Sequence, residues 1–388
     1  MKPTILVLAD WYLPGYKAGG LVTALSNLAD AIGDTFSIFV FTRDRDLTDE
    51  TPYPDIRAME WQDVRKARVL YTSDLSFRHL RRRISEVRPD VIYLNSFFST
   101  LVIKVLFLRR FGLLPSCAIV LSPRGEFSPG ALRIKGFKKS IYVHFAFRVG
   151  LYDNLIWQAS SELERQQIAK VLGTGRRKQP RIHVAWDLPS RDWLEASRQP
   201  PKMPKAAGAR FLFISRISPK KNLVFAVNAM RKLSGSVQFD IFGPIDDREY
   251  WKSCEEQIKV LPANVTVRYR GTVRRELVPE VASSYDFFLL PTLGENFGYV
   301  ILEAMAAGCP VILSNQTPWQ DATSSGAGWS LPLDDGELWR CILQQCVDMD
   351  SHTYAAMSAR ARQFVGVWAS SNDHYDETIE LFHLALAR

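Results

Sequence analysis

The sequence predicts an α/β protein made of two doubly wound domains whose parallel sheets face a central cleft. Three observations carry this expectation. Apolar runs of buried-strand length alternate with helix-forming stretches along the chain. A Pro-rich interval from Leu188 to Ala209 interrupts that alternation once, near the middle. The length, 388 residues, exceeds what one hydrophobic core ordinarily serves.

Taken in order, strands are expected over Thr4–Ala9, Ser37–Thr42, Val91–Asn95, Ala118–Ser122, Leu155–Ala159 and Ile182–Trp186, giving a first domain over residues 1–188. After the linker, strands are expected over Arg210–Ser215, Val237–Phe242, Val265–Tyr269, Asp286–Pro291 and Pro310–Ser314, giving a second domain over 205–366. The apolar run that follows Met1 is short and meets Asp10, so it reads as a first strand and not as a signal peptide. No stretch has the length and apolarity of a membrane span; the best, Leu101 to Leu108, is broken by Lys104.

Hydrophobic residues at 47% and charged residues at 23% are ordinary for a globular chain. The formal net charge of +8 is unevenly spread. Residues 1–190 hold 28 Lys and Arg against 18 Asp and Glu, whereas 191–388 hold 21 against 23. A basic first half calls for an anionic partner: a membrane surface, a phosphorylated acceptor or nucleic acid. Nucleic acid is the weakest of these, because no recognition motif accompanies the charge. Five cysteines with no C-x-x-C spacing fit a reducing compartment and argue against zinc, and the six histidines form no cluster.

The stretch from Pro291 to Asn315 is the most informative. It reads as a strand, the loop Gly294-Glu295-Asn296-Phe297-Gly298, a helix from Tyr299 to Ala307, a stop at Gly308 before Pro310, and a second strand. The loop thus sits at a helix N-terminus beyond a parallel strand, where unpaired N–H groups and the dipole suit a phosphate. Glu295 and Glu303 lie eight residues apart and can line one cleft at two depths. Alternatively Glu295 caps the helix and Glu303 is solvated. The apolar neighbours of Glu303 argue for a buried carboxylate with a specific partner.

Three further loops follow expected strands. Gly19-Gly20 precedes the helical run Leu21–Ile32 and allows either a close ligand approach or a plain turn. Arg216, Lys220 and Lys221 precede a helix near Leu223 and read as a diphosphate clamp or as a solvated basic turn. Arg124 and Glu126 follow the Ala118–Ser122 run and bring a guanidinium and a carboxylate to one sheet edge.

Together, Gly19-Gly20, Arg216…Lys221 and Glu295-x7-Glu303 within Gly-Glu-Asn-Phe-Gly…Glu-Ala-Met-Ala-Ala-Gly-Cys-Pro-Val resemble the retaining nucleotide-sugar glycosyltransferases of family 4, across essentially the whole chain. The resemblance implies the GT-B fold of two Rossmann-like domains, with a C-terminal helix, here Trp368 to Leu386 within 367–388, crossing back onto the first domain. It implies a donor that is a UDP-, GDP- or similar nucleotide sugar, a saccharide or lipid-linked acceptor, and no cofactor or metal. Arg216 and Lys221 would hold the diphosphate in place of a metal ion, Glu295 would stand near the anomeric carbon, and Glu303 would bind the ribose. Asn296, Phe297 and Gly298 would face the donor, the last two through their amides, as would Gly19, Gly20 and Arg124. The chain departs from the family twice: Arg124 stands where many members carry His, and Ala185-Trp186-Asp187-Leu188 replaces an Asn-Gly. Two other functions fit the same residues, a sugar-nucleotide epimerase and a non-catalytic binder of nucleotide sugars or anionic glycans.

Finally, Leu132 to Val149 interleaves Arg, Lys, Phe and Tyr, with Arg78, Arg81, Arg82, Arg83, Arg109, Arg110 and Phe111 elsewhere in the same basic half. It reads as a segment lying in an anionic membrane interface on the cytoplasmic face, or as a core helix with a charged outer face.

Overall fold

The computed structural model describes residues 2–133, 136–173, 180–189, 193, 197 and 205–387. The chain divides into two compact units: Met1–Leu188 with Asn372–Arg388, and Pro189–Ser371.

In the first unit eight strands form one sheet: β1 (Thr4–Leu8), β2 (Ser37–Thr42), β3 (Trp61–Val64), β4 (Ala67–Tyr71), β5 (Val91–Asn95), β6 (Ala118–Ser122), β7 (Ile156–Ala159) and β8 (Arg181–Val184). Their order is β3-β4-β2-β1-β5-β6-β7-β8. Only β3 runs antiparallel, against β4. The inner strands read Thr-Ile-Leu-Val-Leu and Val-Ile-Tyr-Leu-Asn because helices cover both faces, leaving no wet side for polar alternation. Two cores result, one centred on Leu6, Ile92, Leu121 and Trp157, the other on Ile5, Val7, Tyr93 and Phe382. Chain direction across the sheet reverses at β1, which pairs with β2 on one side and β5 on the other.

The second unit has six strands, all parallel: β9 (Ala209–Ile214), β10 (Val237–Phe242), β11 (Val265–Tyr269), β12 (Phe287–Leu290), β13 (Val311–Ser314) and β14 (Gly328–Leu331), ordered β11-β10-β9-β12-β13-β14. The reversal falls between β9 and β12, so the loops leaving their carboxyl ends, 215–221 and 291–298, diverge around the point where open sheets bind ligands. After β10, Gly243 at φ 137° passes so near Ser215 that a Cβ would lie 1.9 Å from the Ser215 carbonyl oxygen; only glycine allows this approach.

The structure differs from the sequence reading in places. The strands β3, β4 and β14 were not expected. The helix expected over Trp368–Leu386 is two helices, Ser351–Ser370 in the second unit and Asp373–Leu386 in the first, divided at Ser371-Asn372. Leu381, Phe382 and Ala385 of the last helix are buried in the first unit's core. The linker from Leu188 to Ala209 lies mostly outside the described residues, although Trp193 within it is buried against Phe297, Tyr299 and Trp368.

Candidate active site

Seven of the ten candidate residues belong to the second unit, and six of them lie on the two loops that leave β9 and β12 at the reversal. The turn Pro219–Lys221 follows β9 and ends at Asn222 in the left-handed region, φ 58°. The loop after β12 grips this turn. Leu293 N–H donates to the Lys220 carbonyl at 2.8 Å, and the Thr292 hydroxyl donates to the same oxygen at 3.1 Å while accepting from Gly294 N–H at 3.2 Å. On its other side the loop is tied to the end of β13, where Ser314 Oγ donates to the Thr292 carbonyl at 2.6 Å and Glu295 N–H donates to the Gln316 carbonyl at 2.9 Å.

These ties bring Lys221 Nζ against Glu295 Oε2 in an ion pair with both side chains largely buried, 11% and 15% exposed. Burial alone would push the Glu295 carboxyl up; the fields of Lys221, Lys220 and Arg216, with the Lys221 hydrogen bond, outweigh it and hold the group below the usual carboxylate range. Arg216 also pairs with Asp246 at 3.3 Å and stays more exposed. A carboxylate and three cations therefore share one corner of the sheet edge, an arrangement able to attract a diphosphate and stabilise charge on it as it leaves.

Glu295 does not cap the following helix. That helix, Tyr299–Ala306, starts from Gly298 at φ 82° with no side-chain cap and no acidic residue in its first turn. A Cβ on Gly298 would lie 2.7 Å from Ile301 Cδ1 and 3.0 Å from Glu295 Cγ, so a side chain there would displace the glutamate. Phe297 is clasped by aromatic rings, with Tyr299 at 4.6 Å, Trp319 at 5.2 Å and Trp368 at 5.5 Å between centroids, and its carbonyl accepts from Trp319 Nε1. Asn296 lies half-buried between Glu295 and this cluster.

Glu303 is 6% exposed and not solvated. Arg275 Nε donates to its Oε1 at 3.2 Å, and the same guanidinium stands 5.7 Å from the Tyr299 ring centroid. Sequence reading missed Arg275; its one signal is its place in the loop after β11, on the same carboxyl edge. Thr292 and Trp319 were also missed, since a threonine and a tryptophan near a turn carry no spacing signature.

The remaining three candidates lie in the first unit. Gly19, φ 71°, precedes the helix Gly20–Ile32, which has no side-chain cap; both glycines are exposed and nothing stands within 4 Å of a Cβ built on Gly19. The preceding loop is held by Asp46, which accepts from Tyr16 N–H at 2.7 Å and Lys17 N–H at 3.0 Å. Arg124, φ 57°, turns inward: its guanidinium pairs with Asp187 and donates to Asn95 Oδ1 at 2.9 and 2.8 Å and to Tyr93 Oη at 2.8 Å. Nearby Glu126 accepts from Ser96 Oγ at 2.7 Å and from the amides of Phe97 and Phe98. Burial raises its carboxyl despite those bonds. Among the described residues no group of three or more His, Cys, Asp or Glu converges as a metal site would.

Two doubly wound α/β units, the first parallel except for β3 and the second wholly parallel, match the GT-B fold of solved glycosyltransferase structures. Residues 208–345, within the second unit, match the family described as glycosyl transferases group 1. The chain is 32% identical over 106 residues to an uncharacterized glycosyltransferase of Methanocaldococcus jannaschii, covering 27% of this chain and 26% of that one. It is 30% identical over 164 residues to a phosphatidyl-myo-inositol mannosyltransferase of Mycolicibacterium smegmatis, covering 41% of each. The chain thus spans less than half the length of these curated relatives. A sucrose-phosphate synthase structure from Thermosynechococcus elongatus superposes over the whole of both chains with a TM-score of 0.73 at 16% identity, a likeness of fold.

Proposed function

We propose that the protein is a retaining, metal-independent glycosyltransferase that moves a sugar from a nucleotide-diphosphate donor to a saccharide or lipid-linked acceptor in polysaccharide or glycolipid assembly. The observation that carries the reading is the Lys221–Glu295 pair beside Arg216 at the β9/β12 reversal. Breaking the bond from the anomeric carbon to the diphosphate develops negative charge on the leaving group and oxocarbenium character on the sugar. Arg216 and Lys221 answer the first, and Glu295 the second. Lys221 exchanges part of its bond to Glu295 for the diphosphate, which leaves the carboxylate to face the sugar.

The acceptor oxygen bonds to the anomeric carbon on the face the diphosphate leaves, and its proton passes to the departing phosphate oxygen, giving retention. Glu303, oriented by Arg275, takes the ribose hydroxyls; the segment Asn296–Gly298, backed by Trp319, lies along the sugar. Gly19 and Gly20 serve the donor from the first unit, and Arg124 acts there through the loop that its bonds to Asp187 and Asn95 hold in place. A relative named for mannosyl transfer to phosphatidyl-myo-inositol supports a lipid-linked acceptor, and the basic first half fits work at the cytoplasmic face of an anionic membrane.

The test is a panel of nucleotide sugars incubated with the protein, with and without acceptor saccharides or lipid diphosphates. Acceptor-dependent release of nucleoside diphosphate, with the product keeping the donor's anomeric configuration, is the expected result. Conversion of the donor to its epimer without acceptor would make the protein an epimerase, and binding without turnover would leave it a sugar-nucleotide binder.

A further inference from the structure

The helix Gly136–Arg148 has apolar residues on two faces. Tyr142, Val143, Ala146 and Phe147 pack against the first unit's core, as any helix covering a sheet must. On the opposite face Phe137, Ile141 and Phe145 recur every fourth residue, so they form one stripe along the helix. They are 80%, 55% and 54% exposed. A core helix with a charged outer face would explain the first set and leaves the second unexplained. The stripe is flanked by exposed Lys138 and Arg148, with exposed Arg133 just before the helix. From 101 to 150 the sequence holds nine Lys and Arg and a single acidic residue, Glu126, whose carboxyl is turned onto the amides of Phe97 and Phe98. The apolar rim continues: Arg109 and Arg110 donate to the carbonyls of Asp153 and Val149, just past the helix, and beside them Phe111 is 70% and Leu113 42% exposed.

We propose that this outer face is a docking surface for an anionic lipid bilayer, with Phe137, Ile141 and Phe145 entering the head-group boundary and Lys138 and Arg148 on lipid phosphates. Aromatic and aliphatic side chains ringed by cations have the composition of an interfacial helix, and the counter-charge they call for is a lipid head group. A second copy of the chain is a poor occupant, since a symmetric contact would bring together two patches of the same positive sign, each carrying Lys138 and Arg148. The inference deepens the membrane reading above and rests on it for its setting, but its test uses no enzymatic activity.

The full-length protein is sedimented with vesicles of phosphatidylcholine alone or mixed with phosphatidylglycerol. Binding is expected on the mixed vesicles and should weaken with salt, since exposed charges are screened within about 8 Å at physiological ionic strength. Combining Phe137→Ser, Ile141→Gln and Phe145→Ser should lower the partition coefficient at least about tenfold, and Lys138→Glu about fivefold or more. All these side chains are exposed, so thermal unfolding should match the wild type. Equal partitioning of the triple variant would overturn the assignment while leaving a membrane site elsewhere. Failure of the wild type to bind mixed vesicles would overturn both the assignment and the membrane reading, without touching sugar transfer measured in solution. A wild-type dimer in sedimentation velocity that the triple variant dissolves would also overturn it, making a second copy the occupant.

Discussion

Replacing Lys221 with Met keeps the length of the side chain and removes its charge, leaving Glu295 in its largely buried corner with only Lys220 and Arg216 nearby. Breaking a buried ion pair from one side typically costs 3–5 kcal/mol; with two cations remaining in the same field, about 3 kcal/mol is expected here. In the wild type the folded Glu295 carboxyl titrates below its unfolded value. Its stabilising contribution is therefore complete above the unfolded pKa and is lost as pH falls through the folded one. In the variant burial acts with less opposition, so the carboxyl titrates higher and that contribution shrinks or changes sign. The stability gap should be widest near neutral pH and close on acidification. Urea unfolding followed by tryptophan fluorescence should show a midpoint lower by about 1.5 M at about pH 7, for a slope of about 2 kcal/mol per M, and a smaller difference at about pH 3.5, below the usual carboxylate range. An equal gap at both pH values, or none at neutral pH, would refute the argument that Glu295 is held ionised mainly by this lysine.

Glu295→Gln should keep most nucleotide affinity yet lower kcat by about 100-fold or more, whereas Glu303→Ala should chiefly weaken donor binding; a change confined to donor affinity in both would remove the division of labour. Arg216→Ala should weaken binding of free nucleoside diphosphate by about 1.5–3 kcal/mol in calorimetry, and unchanged affinity would take Arg216 out of the clamp. Turnover should survive a chelator; its abolition, with rescue by magnesium or manganese, would contradict catalysis by the two cations. Iodoacetamide at about pH 8 should label native protein at exposed Cys341 first, because burial pushes the Cys117 and Cys254 thiols up to about 11 and Cys309 and Cys346 are also buried; early labelling of Cys117 would show that its surroundings open.

The parallel strands were legible because a strand covered on both faces is written as an unbroken apolar run, as in Val-Ile-Tyr-Leu-Asn or Phe-Phe-Leu-Leu. The edge hairpin was not: Trp61-Gln62-Asp63-Val64 is half exposed and polar, and its pairing with β4 is a tertiary fact. The strand β14 opens on Gly328, which reads as a turn until one sees that a Cβ there would lie 2.0 Å from the Val311 carbonyl oxygen. In the second unit the motif spacing located Glu295, Lys221 and Glu303, but the partner of Glu303 lies 28 residues upstream with no periodic link to it. The two departures from the family pattern looked independent in sequence; in the fold Arg124 and Asp187 are each other's ion-pair partners across 63 residues.

The first unit is discontinuous, its core closed by Leu381, Phe382 and Ala385 from the last helix. Synthesis runs from the amino end, so this unit, begun first, lacks part of its core until those residues have emerged, while residues 189–371 form the only contiguous unit and can finish earlier. During that interval the surface of Ile5, Val7 and Tyr93 awaiting the helix is uncovered, which makes the nascent chain dependent on whatever shields apolar surface at the ribosome. A stop codon near Ser371 would then be more damaging than its distance from Glu295 suggests, trapping the earlier-made half in a sticky, unfinished state.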